Sequence, residues 1–128
     1  MRKTHVEGVG GIFIKARDPA KLYAWYARHL GMAGRPGAGV QFKWRDSRKP
    51  AKKGLTVWAL FPKSSKYLGP SRNQFMLNYR VADLDGLLQV LAAQKVRIDK
   101  HRAKSKYGKF AWITDPEGNR IELWQPPR

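Results

Sequence analysis

The 128-residue chain predicts an α+β fold built from two paired modules, each a strand, a helix and two or three further strands. Three observations carry that expectation. A strand-to-helix junction occurs twice, with Asp18 recurring as Asp83, 65 positions later. Each junction opens an apolar stripe of helical period, and each half then continues into segments of strand character. A unit of about 60 residues with two or three further strands is too small to bury both faces of its sheet, so two such units must pair.

The elements follow in order. Residues 11–18 alternate as a strand and end at Asp18, an N-cap residue followed by Pro19 at the first helical position. Leu22, Tyr26 and Leu30 give the helix its apolar stripe, and Gly31 stops it. Strands are expected over residues 40–44 and 54–62. In the second half, residues 76–83 lead into a helix capped by Asp83, supported by Asp85 near its positive end and striped by Leu84, Leu87, Leu88 and Leu91. That helix ends at Gln94-Lys95 without a glycine. Residues 110–114 form a strand candidate, and Asp115-Pro116-Glu117-Gly118-Asn119 is a tight turn feeding the last strand. The chain reads as a single domain over 1–128, with module one at about 6–64 and module two at about 73–126. With a shift of 64, residues 54–62 lie over 118–126, which sets Trp58 in the place of Glu122.

Composition bounds the class. At 42% apolar residues the chain can build a core, and with no cysteine it can hold neither a disulfide nor a thiolate metal site. Met1-Arg2-Lys3-Thr4-His5 lacks the apolar core of a signal peptide and no run approaches membrane-spanning length, so a soluble cytoplasmic protein without membrane association is expected. The charge is far from balance, with 26 Lys and Arg against 9 Asp and Glu, a net +17 and an isoelectric point near 10.6. Basic residues concentrate at 43–53 and 95–109, where Lys100, Arg102, Lys104 and Lys106 stand two apart and would line one side of a strand. Lysines on an edge strand block sheet-to-sheet aggregation. A field this positive also draws anions, whether nucleic acid, phosphate esters or carboxylated small molecules.

Alternation identifies a candidate site. In the closing strand Ile121 and Leu123 point one way while Glu122 and Trp124 point the other. A carboxylate turned inward costs free energy unless a cation, proton or donor meets it, so Glu122 is a ligand, a general base or half of an ion pair. Ile12, Ile14 and Ala16 should pack on the first helix, leaving Phe13 and Lys15 on the opposite face, and Leu77, Tyr79 and Val81 should pack on the second, leaving Met76, Asn78 and Arg80. Phe13, Trp58, Met76, Asn78, Arg80, Glu122 and Trp124 are then expected around one aromatic slot with a few polar groups, the make-up of a small-molecule site.

The paired strand-helix-strands pattern, the opening Asp18-Pro19 with Trp25-Tyr26 and Leu30-Gly31-Met32, and the close from Asp115 to Gln125 resemble the vicinal oxygen chelate superfamily. That superfamily contains glyoxalase I, bleomycin-resistance proteins, fosfomycin-resistance enzymes and extradiol dioxygenases. The resemblance covers nearly the whole chain and implies a glyoxalase-like fold, two paired βαβββ modules forming one curved mixed sheet around a cavity, together with a homodimer and, in many members, a divalent metal held by first and last strands. Glu122 matches the acidic ligand position. Gly11, Trp58 and Met76 fall on the others, and glycine, indole and thioether do not make a site for a hard or borderline divalent ion, so neither metal nor cofactor is expected. His5 and Glu7 lie upstream, His29 suits the last helical turn, and His101 sits in the basic stretch. The resulting reading is a glyoxalase- or bleomycin-resistance-like protein that binds a small anionic molecule. Two alternatives stand beside it. One is a lyase or isomerase with Glu122 as general base and Arg80 or Asn78 stabilising an enolate. The other is a nucleic-acid binder using residues 43–53 and 95–109, with Trp44, Tyr107 or Phe110 stacking on bases.

Overall fold

The computed structural model describes residues 5–70 and 72–127. Among them the order is β1 (Val6–Ala16), α1 (Pro19–Leu30), β2 (Val40–Asp46), β3 (Lys49–Pro62), β4 (Phe75–Val81), α2 (Leu84–Ala93), β5 (Arg97–Ser105), β6 (Gly108–Thr114) and β7 (Arg120–Gln125). This is the α+β arrangement of strand, helix and strands, given twice. The chain divides into two compact units: one runs from Gly11 to Met76, and the other joins the chain up to Gly10 with the chain from Leu77 onward.

In the Gly11–Met76 unit, β1 runs parallel to β3, with Ile12 opposite Trp58 and Phe13 opposite Ala59, and β2 lies antiparallel to β3 on its other side. The helix α1 starts where the sequence puts it, because the Asp18 carboxylate accepts the Lys21 N–H at 3.1 Å and Pro19 follows with its fixed φ. It ends at Gly31, whose φ of 69° suits a residue without a Cβ. Tyr23 is the centre of its buried face, packed with Ala16, Trp58 and Leu60, while Leu22, Tyr26, Ile12 and Ile14 close around them. The Tyr23 hydroxyl accepts the Leu60 N–H at 2.8 Å. Leu30, expected on the apolar stripe, is 60% exposed at the helix end.

Trp58 also departs from its expected place. It packs under α1 with Tyr23 and Tyr26, at ring-centroid distances of 5.9 and 4.6 Å, on the face of Ile12 and not on that of Phe13. The alignment of the two halves rests on matching Gly54 with Gly118, but the two glycines do different work. Gly118 has φ of 88° and turns the chain. Gly54 lies inside β3, where any Cβ would collide with the indole of Trp44. Removing that false anchor shifts the match by one residue, and a one-residue slip exchanges the faces of a strand. Ala59 faces Phe13 across β1 and β3 as Glu122 faces Asn78 across β4 and β7.

In the second unit the strand order is β4-β7-β6-β5, with β4 and β7 parallel and the other neighbours antiparallel. The α2 N-terminus is capped by Asp83, which accepts the Gly86 N–H at 3.0 Å, and the Leu84 N–H donates to the Gln125 side chain at 2.8 Å. Leu84, Leu87 and Leu88 pack on Val81, Ala111 and Leu123, so one face of this sheet is the core. Asp115 closes the turn before β7: its carboxylate accepts the backbone N–H groups of Glu117 and Asn119 and the Asn119 amide. Those bonds, the Asn119 side chain's first, hold its carboxyl below the usual range.

The missing glycine after α2 has a structural consequence. Lys95 takes a φ of 62°, the left-handed conformation that costs a residue with a Cβ about 1 kcal/mol. Lys95→Gly should therefore raise the unfolding free energy by about 0.5–1 kcal/mol in urea titration. An unchanged or lowered midpoint would show that the lysine is held there by compensating contacts.

Candidate functional site

The face of the β4-β7-β6 sheet turned away from α2 carries two rows of side chains, each running across three strands. Register explains the first row. Glu122 on β7 stands opposite Asn78 on β4 and opposite Trp112 on β6. Its Oε1 accepts Asn78 Nδ2 at 2.6 Å and its Oε2 accepts Trp112 Nε1 at 3.0 Å. Glu122 is 1% exposed, so both oxygens have exchanged water for N–H donors. A carboxylate that accepts such bonds avoids most of the cost of an isolated buried charge.

The second row lies two residues along. Arg80 stands opposite Trp124 on β7, and Phe110 on β6 stands opposite the same residue. The Arg80 guanidinium carbon is 5.0 Å from the Trp124 ring centroid, within cation–π range. Phe110 stacks on Trp124 at 6.0 Å and 4°, and Trp124 Nε1 donates to the Tyr107 carbonyl at 2.7 Å. Arg80 is half-buried, and burial lowers its pKa while the charge of Glu7 acts the other way. The rings of Trp124 and Phe110 are likewise only partly covered.

Gly10 lets the two rows approach the backbone. A Cβ there would collide with Asn78 Oδ1 and lie 2.9 Å from both Arg80 Cγ and the Trp124 ring. Asn78 Oδ1 is buried and accepts no hydrogen bond among the described residues. Around Trp112, His101 stacks at 5.2 Å and 15°, and Arg120 sits over the ring at 5.4 Å while bonding Asp99 at 2.8 Å. That bond is the largest reason the Asp99 carboxyl is held below the usual range.

Asn78, Arg80, Glu122 and Trp124 are therefore brought together as the alternation rule expects. Phe13 belongs to the Gly11–Met76 unit, where it packs with Phe61 at 5.4 Å and Tyr67 at 6.4 Å. Met76 is buried at 1% exposure, and Trp58 serves the α1 core. Sequence reasoning missed Trp112, Gly10 and the stacking role of His101. A signal for Trp112 existed: the tight turn at residues 115–119 fixes the hairpin register, and that register sets Trp112 opposite Glu122.

The donor set does not fit a divalent metal. The Glu122 oxygens are engaged by an amide and an indole, Gly11 has no side chain, and Trp58 points to α1. Among the described residues no three of His, Cys, Asp and Glu group closely enough to hold an ion. Two open concavities occur in the Gly11–Met76 unit. One, of about 480 Å³, follows α1 past Arg17, Lys21, Trp25 and Tyr26. The other, of about 440 Å³, lies on the β2–β3 hairpin.

The sequence profile of the glyoxalase-like domain matches residues 11–124. The chain belongs to that family, within the vicinal oxygen chelate superfamily. No curated protein sequence matches it. Solved structures share the glyoxalase-like fold. Methylmalonyl-CoA epimerase from Mycobacterium tuberculosis is 24% identical, covers 96% of this chain and 90% of its own, and superposes with a TM-score of 0.60. A variant of the Streptomyces coelicolor methylmalonyl-CoA epimerase in complex with 2-nitronate-propionyl-CoA is 16% identical over 97% of this chain and 100% of its own, with a TM-score of 0.67. The NAD-dependent benzaldehyde dehydrogenase from Legionella pneumophila is 13% identical over 91% of this chain and 98% of its own, with a TM-score of 0.57. At these identities the likeness is one of fold.

Two substitutions probe how this glyoxalase-like chain holds its carboxylate. In Glu122→Gln the new amide turns an N–H group toward Asn78 or Trp112, leaving a buried donor unmatched, so stability should fall by about 1–3 kcal/mol in urea unfolding. An unaltered midpoint would mean that the two bonds contribute nothing. Gly10→Ala should displace Asn78 and Trp124 together and lower the unfolding free energy by about 1–3 kcal/mol in urea titration. Wild-type stability with an unperturbed near-ultraviolet spectrum would contradict the close approach.

Proposed function

We propose that this protein binds a small anionic molecule on the shelf formed by Arg80, Trp124 and Phe110. The observation that carries this reading is the half-buried Arg80 guanidinium resting on the Trp124 ring at 5.0 Å, beside a buried polar network. A partly desolvated guanidinium gains more from a carboxylate or phosphate than a fully solvated one does, and it offers a planar fork for bidentate contact. The stacked indole and phenyl rings add a flat apolar surface for the rest of the ligand. The net charge of +17 would favour the encounter with an anion. In this reading Glu122 is a positioning residue: it holds Asn78 and Trp112 in place beneath the shelf.

A second reading, a lyase or isomerase with Glu122 as general base, draws on the likeness of fold to methylmalonyl-CoA epimerases. The burial of Glu122 and the two N–H bonds to its oxygens weigh toward the positioning role, because a base must reach the proton it removes.

Titration of tryptophan fluorescence with a panel of aryl carboxylates and acyl-CoA thioesters tests the proposal. At least one anionic compound should bind saturably. Arg80→Ala should weaken it about ten-fold or more, with Arg80→Lys restoring only part because an ammonium lacks the fork. Equal binding by wild type and Arg80→Ala would remove the shelf as the site. Proton exchange at the carbon next to the ligand carbonyl, lost in a folded Glu122→Gln variant, would favour the second reading.

A further inference from the structure

We infer that the β2–β3 ribbon is a binding surface for single-stranded nucleic acid, separate from the Arg80 shelf. The sequence between Phe42 and Gly54 holds six cations, Lys43, Arg45, Arg48, Lys49, Lys52 and Lys53, against one acid, Asp46. In the structure this stretch is a two-stranded hairpin whose β3 arm, from Lys49 to Lys53, is exposed throughout. Asp46 is occupied locally, accepting the Arg48 N–H at 2.9 Å.

The arrangement goes beyond a solvated basic edge. Register sets Arg45 directly opposite Lys53, a like-charge pair that works against the hairpin. Lys43 follows two residues along the same side, and together the three cations line the groove of about 440 Å³ with Gln41, Trp44 and Leu55. None of the groove's lining residues is acidic. The Arg45 guanidinium donates to the Pro50 carbonyl at 3.1 Å, which keeps it ordered on the ribbon, and solubility alone does not need three cations gathered on one concave surface. Cations two residues apart along a strand suit successive phosphates of an extended single strand.

Trp44 supplies the second half of the recognition. Its Nε1 donates to Thr56 Oγ1 at 2.8 Å, and its ring lies across Gly54, where the absence of a Cβ makes room for it. The indole is fixed before any ligand arrives and stays half-buried, not enclosed. Phe42, two residues earlier and therefore on the same side as Trp44, is 45% exposed. By alternation these rings and the groove cations lie on opposite faces of the ribbon, but Trp44 borders the groove that Lys43, Arg45 and Lys53 line, and an ordered ring beside cations is the element that binds an unpaired base together with its backbone. A duplex hides its base faces, so the rings favour the single strand.

Fluorescence anisotropy of a labelled oligodeoxythymidine across a salt series tests the inference. The exposed Lys43→Ala/Arg45→Ala/Lys53→Ala variant should bind more weakly and reduce the slope of log affinity against log salt by about 2, since each single-strand phosphate contact contributes about 0.7. Trp44→Leu should weaken binding about ten-fold with the slope retained. Phe42→Ala, at an exposed ring, should do the same to a smaller degree and covers the case in which Trp44→Leu does not fold. The Lys100→Ala/Lys104→Ala/Lys106→Ala variant on the β5–β6 hairpin should lose less than the ribbon variant. Equal loss in the two triple variants would overturn the inference in favour of diffuse charge. Equal competition by polyphosphate with no effect of either aromatic change would overturn it in favour of a general polyanion surface, and equal competition by a duplex would overturn the single-strand preference.

Discussion

A carboxylate removed from water must find donors or a countercharge, and the way Glu122 meets that demand organises the β4-β7-β6 sheet. Its two oxygens take N–H groups from the strands on either side, Asn78 from β4 and Trp112 from β6. This ties three strands together at one level by side chains, in addition to the backbone ladder. The constraint reaches outward. Trp112 fixed by its indole N–H presents a ring on which His101 and Arg120 lie, and Asn78 fixed by its amide leaves Oδ1 against the backbone at Gly10. The row above, Arg80 to Trp124 to Phe110, inherits its position because side chains two apart on each strand share a face.

Much of this was legible in the sequence, for reasons particular to each residue. Asp18 and Asp83 cap their helices as N-cap chemistry requires, and Ile121, Leu123, Glu122 and Trp124 divide between two faces because the last strand pairs with both neighbours without a register shift. Asp115 contributes most there, since its carboxylate satisfies three N–H groups and fixes where β7 begins. Gly118 is the one glycine whose role in that turn follows from local rules alone.

What was not legible depended on contacts between residues distant in sequence. Gly54 looked like a strand boundary, but its role is to pass beneath Trp44, twelve residues before Thr56 on the partner strand. Nothing in the local pattern distinguishes a glycine that turns the chain from one that admits a ring. Trp58 changed faces as a result. The same limitation hid Gly10, whose importance lies in Asn78, Arg80 and Trp124, all in segments far along the chain. Lys95 was visible as an absent glycine, although the positive φ it accepts was not.

The two units give one strand-helix-strands arrangement two different chemistries. In the Gly11–Met76 unit the residue facing Phe13 is Ala59, so the level that holds Asn78 and Glu122 in the other unit is here apolar, and Phe13 packs with Phe61 and Tyr67. An apolar level needs no donors, and its neighbours are free to be aromatic. A carboxylate level imposes amide and indole partners, because an unmatched buried charge would cost more than the packing of either ring returns. Glu122 thus has a sufficient reason to persist without any metal: remove the acceptor, and Asn78 and Trp112 each lose the partner that makes their burial tolerable. An inward acidic residue on this strand is then weak grounds for inferring a metal, and the side chains that meet it are what decide.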